Sequence, residues 1–340
     1  MRRIISLLSI LGLAQVAAAH HSTTAIYDSS RTIEVTGVVE EISWRNPHGR
    51  LLLRAPDEAG GTVVWEATTP AVVVLRIYGI GQDFIALGDR ITLAGSPARR
   101  APHGMNVENI LLPSGYELAF GANVAHFQAG KNGNLIGRGY DDSNVDEAIA
   151  KANGIYRVWA TNMSDPAAFP MFKGNYPLTE AAEAVVAEWD PFDNDLIRCG
   201  TKGAPLIMIT PAPVELVRDG DRILMRIEEY DARRVIHMNE GAEPPTEHTQ
   251  MGFSRGRFEG ETLIVETDHI QEQYFDPDGV PQSEQMRIVE RFTPNAAYDR
   301  IDYRITVTDP VYFTEPFDLT RYFVWKPEMT VHPYECMERD

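Results

Sequence analysis

Residues 252–268 read Gly-Phe-Ser-Arg-Gly-Arg-Phe-Glu-Gly-Glu-Thr-Leu-Ile-Val-Glu-Thr-Asp, which is two β-rich runs separated by the Glu-Gly pair at 259–260. A two-residue turn ending in glycine is a strong signal of a β-hairpin, because glycine enters positive φ without steric cost. In the second run Leu263, Val265 and Thr267 share one face, as in a strand that lays one side on a core. The core of the C-terminal half is therefore predicted to be antiparallel β-sheet.

More strand-length segments surround this hairpin, punctuated by Asp-Gly turns. Strands are expected near residues 213–218, 222–230, 233–238, 252–258, 261–268, 284–293, 299–308 and 317–325. About eight sequential antiparallel strands with short turns close into an up-and-down barrel. Together with the opening Gly-x-x-x-x-Trp at 154–159, this pattern predicts a lipocalin-like antiparallel β-barrel domain over residues 154–340. One helix is expected within it, at 178–189, with Thr179 as its N-cap.

The N-terminal half has a different order of elements. Strand-like segments are expected at residues 32–45, 49–55, 62–67, 89–94 and 105–112, and the longer apolar run at 70–80 favours a helix. Three strands, a helix and two strands is the order of a small OB-like barrel, which we place at residues 20–118. The polar, Gly/Asn-rich segment 119–153 is the predicted linker. The predicted fold class is thus all-β, with two barrels and few helices.

The first 19 residues have the features of a secretory signal peptide, with a basic start, an apolar stretch and three alanines at the cleavage site. We find no later apolar run long enough to span a membrane, so we expect no transmembrane segment in the mature chain and, in a bacterium, a periplasmic location. The formal charge of −18 repels phosphate backbones and anionic lipid, which argues against a nucleic-acid partner.

The chain has two cysteines, Cys199 and Cys336. In an oxidising compartment an even pair most simply forms one disulfide bond. The alternative is two free thiols with a redox or metal-binding role, but no C-x-x-C spacing supports it. We therefore expect a disulfide that joins the start of the C-terminal domain to its last turn.

Two parts of the chain resemble families of exported bacterial proteins of unknown function. The first resemblance covers about residues 20–118 and implies an OB-like domain without an established activity; its motifs are His-His-Ser at 20–22, Thr-Gly-Val-Val at 36–39, Trp-Arg-Asn-Pro-His at 44–48 and Val-Trp-Glu at 64–66. The second covers residues 205–338 and includes Pro-Ala-Pro at 211–213, Glu-Arg-Phe at 290–292 and Thr-Asp-Pro at 308–310. Its common form has tryptophan where this chain has Phe258.

Cleavage after residue 19 would make His20 the new N-terminus. An N-terminal histidine offers its α-amine and its imidazole to one metal ion, and a further histidine completes a nitrogen set that copper favours. The candidate partners in the same domain are His21, His48 and His103. The alternative is that His48 is an ordinary turn residue and that the leading histidine pair is mobile.

Two glutamates lie on apolar strand faces, Glu229 in the predicted strand 222–230 and Glu290 in the predicted strand 284–293. A buried carboxylate takes up a proton or finds a cation, because burial of an unpaired charge is costly. Partners for it are available on the next strand or beside it: Arg233, Arg234, His237 and Arg291. The sequence leaves two interpretations open, a buried ion pair that stabilises the barrel or a polar centre that orients a ligand or exchanges a proton with it.

Residues 252–256 match the G-x-S-x-G pattern of serine hydrolases, but that motif acts through a strand-to-helix elbow and here a hairpin follows. The function we expect instead is binding of a small apolar or amphipathic molecule in the C-terminal barrel. Its expected ligand contacts are Arg233, Arg234, His237, His269 and Tyr274, the last two at the barrel mouth. One alternative is a periplasmic lyase, isomerase or hydrolase that uses Glu229 or Glu290 as the catalytic acid or base. The other alternative is a copper-binding protein.

Overall fold

Two closed β-barrels follow one another along the chain in this computed structural model. The structure describes residues 26–120, 125–127, 131–132, 142–163, 165–168, 175–190 and 199–336. The predicted all-β fold class with few helices is confirmed. None of the helices in these described ranges is both long and apolar enough to cross a membrane.

The first barrel has five strands and one short helix. The strands are β1 (Ile33–Ser43), β2 (Gly49–Pro56), β3 (Thr62–Thr69), β4 (Arg90–Pro97) and β5 (Gly104–Leu111). The helix α1 (Val72–Ile77) lies between β3 and β4. A parallel pairing of β3 with β5 closes the sheet, so that the strands follow the order 1-2-3-5-4 around the barrel. The order of elements along the chain, three strands, a helix and two strands, is the OB-like order predicted from the sequence.

Two short strands extend this sheet, β6 (Tyr116–Ala119) beside β5 and β7 (Lys131–Asn132) beside β6. The helix α2 (Val145–Lys151) follows, and none of its residues is buried. The helix α3 (Glu180–Glu188) begins after Thr179, whose side-chain oxygen accepts a hydrogen bond from the backbone N–H of Ala182 at 3.3 Å. The predicted helix and its N-cap are therefore confirmed.

The second barrel has nine strands. In chain order they are β8 (Val158–Ala160), β9 (Val214–Asp219), β10 (Arg222–Ile227), β11 (Ala232–His237), β12 (Phe253–Glu259), β13 (Thr262–Asp268), β14 (Arg287–Pro294), β15 (Arg300–Thr308) and β16 (Phe317–Trp325). The short strand β8 pairs with both β16 and β9 and so closes the barrel. The prediction of a closed β-barrel is confirmed, with nine strands where about eight were expected.

The strand pairing departs from the sequence prediction at one place. We expected all neighbours to be antiparallel, but β11 and β12 run parallel, with Ile236 opposite Ser254. The 15-residue segment 238–252 between them returns the chain to the end of the barrel where β11 began. A connection of that length can cross the barrel, which a two-residue hairpin turn cannot.

The predicted hairpin at 252–268 forms, but its two-residue turn is Gly260–Glu261, one position later than the predicted Glu259–Gly260, because Glu259 pairs with Thr262. Seven residue pairs connect β12 and β13, from Phe253 opposite Asp268 to Glu259 opposite Thr262. Gly260 in the turn has a φ of 60°, which a residue with a Cβ adopts only at a cost. The turn therefore sets the register of both strands.

The two barrels contact each other through α1. An apolar cluster joins them, formed by Ala71, Val73 and Ile77 on one side and Ala160, Ala212, Met329 and Tyr334 on the other. Arg76 of α1 forms an ion pair with Glu228, which is buried. The amide of Asn46 in the first barrel donates a hydrogen bond to the carbonyl of Tyr334. The C-terminal segment 326–336 therefore lies along the contact between the barrels.

The predicted disulfide is present between Cys199 and Cys336, whose Cα atoms are 6.0 Å apart. It anchors the end of the C-terminal segment beside the first barrel, since Cys336 also forms a β-bridge with Asn46.

We expect the double variant C199S/C336S to lose about 2–5 kcal/mol of unfolding free energy, because the bond closes a long loop in the unfolded chain. Urea unfolding measures this loss, and dithiothreitol should lower the midpoint of the wild type alone. Equal midpoints for wild type and variant would contradict the prediction.

Candidate functional site

A buried network of charged and polar side chains crosses the second barrel. Arg234 on β11 faces Glu290 on β14, and both side chains are at most 1% exposed. Each terminal nitrogen of the guanidinium group donates to one oxygen of the carboxylate. Arg234 also donates to the hydroxyl groups of Ser254 on β12, at 2.9 Å, and Thr267 on β13, at 2.5 Å. The hydroxyl of Tyr303 on β15 donates to Glu290 at 2.7 Å.

This network leaves the carboxylate of Glu290 well satisfied. Burial opposes the charge on Arg234, but the facing Glu290 outweighs burial and raises the pKa of Arg234. Burial, reinforced by the charge of Glu290, raises the pKa of the Tyr303 hydroxyl well above its usual value. Arg234 therefore stays charged and Tyr303 stays neutral at neutral pH. The geometry favours the first of the two interpretations left open by the sequence, an ion pair that stabilises the barrel.

The other cations considered as partners of Glu290 lie elsewhere. Arg233 is exposed, and His237 stacks on Phe253 with ring centres 4.8 Å apart. Arg291 lies 3.6 Å from Glu259. Alternation along β11 and β14 explains this, because only Arg234 shares the inward face with Glu290. Their roles as ligand contacts stay predictions.

Ser254 of the G-x-S-x-G pattern is fully buried and lies within β12. Besides accepting the hydrogen bond from Arg234, its hydroxyl lies 2.9 Å from the Thr267 hydroxyl. A strand and a tight turn follow it, and no helix does. The interpretation that this motif is not a nucleophile elbow is confirmed.

The expectation that Glu229 lies on the inward face of a strand was wrong. The strand β10 ends at Ile227, and Glu229 begins a single 3-10 turn, Glu229–Asp231. Its carboxylate forms a buried ion pair with Lys202 at 2.6 Å, and its other oxygen, Oε2, is buried without a hydrogen-bond partner in the described part of the chain. The strand ends early because Tyr230 and Asp231 have positive φ values, which are incompatible with an extended chain. Glu229 and Glu290 therefore belong to separate sites.

One end of the second barrel, which we call the capped end, is covered by chain segments. The turn Leu206–Ile209 has all four residues buried. The buried Arg321, on the inward face of β16, donates to the carbonyls of Met208 and Thr210 at 2.8 and 3.0 Å and so holds this turn in place. Burial lowers the pKa of Arg321 to about 9. The four residues of the turn belong to the same apolar core as the inward-facing residues of the strands.

Aromatic residues cover the rest of the capped end, with ring centres 4.9 to 6.2 Å apart: Tyr176, Phe275, Phe313 and Phe317. Beside them, the buried Asp276 accepts hydrogen bonds from the backbone N–H groups of Asp278 and Val280 at 2.9 and 3.0 Å. Burial raises the pKa of Asp276 to about 7.

The two residues predicted at the barrel mouth lie at the margin of the capped end. His269 follows β13 with a φ of 53°, and its Nδ1 is 2.7 Å from a carboxylate oxygen of Asp268. Its ring contacts that of His248, with centres 4.9 Å apart. Tyr274 forms a β-bridge with Pro281 and is half-buried. The structure brings His269 close to another histidine, a contact that the sequence did not predict.

A groove of about 350 Å³ lies on the outside of the second barrel, between α2 and the end of β16. One face of α2 forms a wall, and the opposite wall contains Tyr156, Val158 and Met329. Both Arg157 and Trp325 line the groove, and the guanidinium group of Arg157 stacks on the ring of Trp325, with its central carbon 4.2 Å from the ring centre. The groove therefore combines apolar side chains with charged ones, since its lining includes Lys151 and Lys326 besides Arg157, and the carboxylates of Glu147 and Glu215.

The sequence analysis did not identify this groove. Arg157 lies within the Gly-x-x-x-x-Trp opening, which we interpreted only as a sign of the barrel. Alternation would have placed Arg157 on the same face as Trp159, which is buried in the core, so it gave no sign of a surface site at Arg157. The contact with Trp325, 168 positions away in the chain, depends on barrel closure and has no local signal.

The predicted metal ligands His20 and His21 lie outside the described residues. His48 lies in the turn between β1 and β2, and His103 precedes β5 with its ring packed on Trp65. Within the part of the chain that the structure describes, no group of three or more His, Cys, Asp or Glu residues is placed to hold a metal ion. Copper binding at the N-terminus stays a prediction.

The fold and these sites describe a protein of two β-barrels, an OB-like barrel followed by a larger and mainly antiparallel one. Residues 8–106 match a family of unknown function, DUF6152, which accounts for most of the first barrel. No curated protein and no solved structure shows significant similarity to the chain. The second barrel is therefore interpreted from its own geometry.

The buried ion pair gives a prediction about stability. We expect Glu290→Gln to reduce the unfolding free energy by about 3–5 kcal/mol, because it leaves the charge of Arg234 buried without a counter-ion. The matched control is Asp318→Asn, which removes the exposed partner of Arg304 and should cost less than about 1 kcal/mol. Chemical denaturation of both variants measures the difference. Equal losses would show that the buried pair is not a special determinant of stability.

Asp276 gives a prediction about pH. Its folded-state pKa of about 7 exceeds the unfolded value, so the folded chain binds the extra proton. The stabilisation it contributes is complete below about pH 4 and is lost as the pH rises to about 7. We expect Asp276→Asn, which keeps the acceptor oxygen, to be more stable than the wild type at pH 8 and to lose this advantage at pH 4. Thermal unfolding at both pH values measures this effect, and a difference that does not depend on pH would contradict it.

Proposed function

We propose that the C-terminal domain binds a small amphipathic molecule with one acidic group, in the groove beside α2, and that the protein does so in the periplasm. The observation that carries the proposal is the position of Arg157, stacked on Trp325 in a groove whose lining also includes the apolar side chains of Tyr156, Val158 and Met329. An aromatic face beside a guanidinium group accommodates the apolar body and the acidic group of one ligand.

Arg157 has donors available for an anion. One terminal nitrogen donates to the carbonyl of Tyr298 at 2.9 Å, and its Nε is buried without a hydrogen-bond partner among the described residues. Partial burial lowers the pKa of this guanidinium group, an effect opposed by Tyr298 and Asp299. It nevertheless stays charged at neutral pH. A carboxylate or sulfonate that binds it would satisfy a partly desolvated cation.

The acidic residues of the groove do not oppose an anion strongly, because each already has a cation. Glu147 forms an ion pair with Lys151 one turn along α2. Glu215 accepts a hydrogen bond from Arg226 at 2.7 Å. In a chain with a formal charge of −18, Arg157 thus provides local attraction for an anion that the rest of the surface repels.

The apolar surface under α2 supports an occupant with an apolar body. None of the residues of α2 is buried, although Val158, Trp325 and Met329 lie opposite it across the groove. A ligand that filled the groove would cover apolar surface on both walls. The volume lies at the low end of the range for small-molecule sites, which favours a compact ligand.

The groove supports this proposal better than the barrel interior does. The inward faces of the second barrel hold the Arg234–Glu290 pair at the centre and the Leu206–Ile209 turn at the capped end. Catalysis by Glu229 or Glu290, and copper binding through His20, stay predictions that no observation here favours over the groove.

The test is the binding of two fluorescent probes of similar size, the anionic 1-anilinonaphthalene-8-sulfonate and the neutral N-phenyl-1-naphthylamine. We expect Arg157→Gln to weaken binding of the anionic probe about tenfold or more, since a hydrogen bond to a charged group contributes about 1.5–3 kcal/mol. Binding of the neutral probe should change little. The matched control is Arg300→Gln, because Arg300 also stacks on an aromatic ring, that of Tyr322 at 3.9 Å, but lies outside this groove.

Equal affinity of wild type and Arg157→Gln for the anionic probe would refute the proposal, as would an equal loss in Arg300→Gln. Native mass spectrometry of the protein purified from periplasm is a second test, which identifies the natural ligand by its mass. An organic mass that is present in the wild type and absent from Arg157→Gln is the expected result. A protein recovered from the cytoplasm instead would contradict the proposed location.

A further inference from the structure

The segment 248–252 and the residues after β13 are held side by side at the margin of the capped end. The backbone N–H of Thr249 donates to the carbonyl of His269 at 3.0 Å, and the N–H of Gln271 donates to the carbonyl of Thr249 at 2.8 Å. Thr249 and Ile270 also form a parallel β-bridge. Main-chain hydrogen bonds therefore place the imidazoles of His248 and His269 against each other.

The imidazole ring of His269 is fixed in one orientation. Nδ1 of His269 lies 2.7 Å from one carboxylate oxygen of Asp268, which can only accept a hydrogen bond, and the other carboxylate oxygen lies 3.5 Å from Arg255. With the hydrogen on Nδ1, Nε2 is the nitrogen of His269 that can bind a metal ion. A carboxylate behind an imidazole is the usual outer partner of a histidine that binds a metal ion, because it sets the tautomer and the ring orientation.

The distance between the two rings fits a shared metal ion. A metal–nitrogen bond of about 2.0–2.1 Å places the ion about 3.2 Å from the ring centre. Two ligands that subtend an angle of about 100° then have ring centres about 4.9 Å apart. The observed separation is 4.9 Å, with an angle of 62° between the ring planes.

The ring of His248 has a nitrogen whose hydrogen-bonding capacity is not satisfied within the described part of the chain. The Nδ1 of His248 is buried and has no hydrogen-bond partner among the described residues. A buried polar atom without a partner is unfavourable unless a ligand satisfies it. The side chain of His269, in contrast, is 30% exposed, so an ion can reach the pair from solvent.

We propose that His248 and His269 together bind one divalent transition-metal ion of the class that prefers imidazole, such as zinc, with Asp268 as the positioning residue behind His269. Imidazole nitrogen suits zinc, copper and nickel better than magnesium or calcium. Water completes the coordination, since the pair supplies two ligands. This site lies in the second barrel and differs from the one predicted around His20.

The test is isothermal titration calorimetry of the full chain with zinc chloride. We expect one binding event that is lost, or weakened at least tenfold, in both His248→Gln and His269→Gln. Asp268→Asn should weaken zinc binding about tenfold or more without abolishing it, because it affects a ligand only through its orientation. His237→Gln is the matched control, since His237 is also a half-buried histidine stacked on a ring, and it should bind zinc like the wild type.

Any zinc bound at the N-terminal histidines appears as a separate event that these variants leave unchanged. Long-range ¹⁵N spectra of the imidazoles give a direct readout, because coordinated nitrogens shift when zinc is added. Shifts at both His248 and His269 are expected in the folded wild type. Wild-type affinity in either histidine variant, or the absence of a zinc-dependent shift at these two rings, would overturn the proposal.

Discussion

The Arg234–Glu290 pair is the interaction on which the second barrel depends. Two charges without solvent contact are tolerable only if each finds its partners with good geometry. The partners come from β11, β12, β13, β14 and β15. A shift of one residue in any of these strands would turn a member of the network outward and leave a charge or a hydroxyl group unsatisfied. The network therefore selects one register for more than half of the barrel.

The same network affects where a ligand can bind. Charged side chains occupy inward positions of the second barrel, and Arg321 holds a buried turn at the capped end. Less of the interior is therefore open to a ligand than in a lipocalin-like barrel with an open end. Barrel closure also produces an outer surface where the short strand β8 meets the end of β16. At that position Arg157 and Trp325 come together, and α2 lies over them without burying any of its own residues. The strand pairing that closes the second barrel therefore also forms the groove on its outer surface.

Local signals were sufficient to predict much of this fold. The Glu-Gly pair at 259–260 and the alternation around it predicted the hairpin, with its turn one position too early, and the order of strands and helix predicted the OB-like barrel. The disulfide followed from having two cysteines in a chain whose sequence predicts export. Glu290 was correctly placed on an inward face, but its partner could not be chosen among four cations, because the choice depends on strand pairing. Glu229 was misplaced because positive φ values at Tyr230 and Asp231, neither of them glycine, carry no sequence signal. The groove and the histidine pair depend on contacts between distant segments, so periodicity could not reveal them.

The C-terminal segment connects the proposed ligand site with the contact between the barrels. Lys326 and Met329 line the groove, while the ammonium group of Lys326 donates to the carbonyl of Ile77 in α1 at 3.3 Å. Met329 also belongs to the apolar cluster that joins the barrels. A ligand that orders these residues stabilises the contact with the first barrel, and by linkage a firm contact between the barrels strengthens ligand binding. The disulfide at Cys336 restricts the far end of the same segment. A ligand in the groove can therefore affect the contact between the barrels through this segment while the segment stays bound there. This arrangement gives a physical reason for an OB-like barrel and a larger barrel to be joined in one chain.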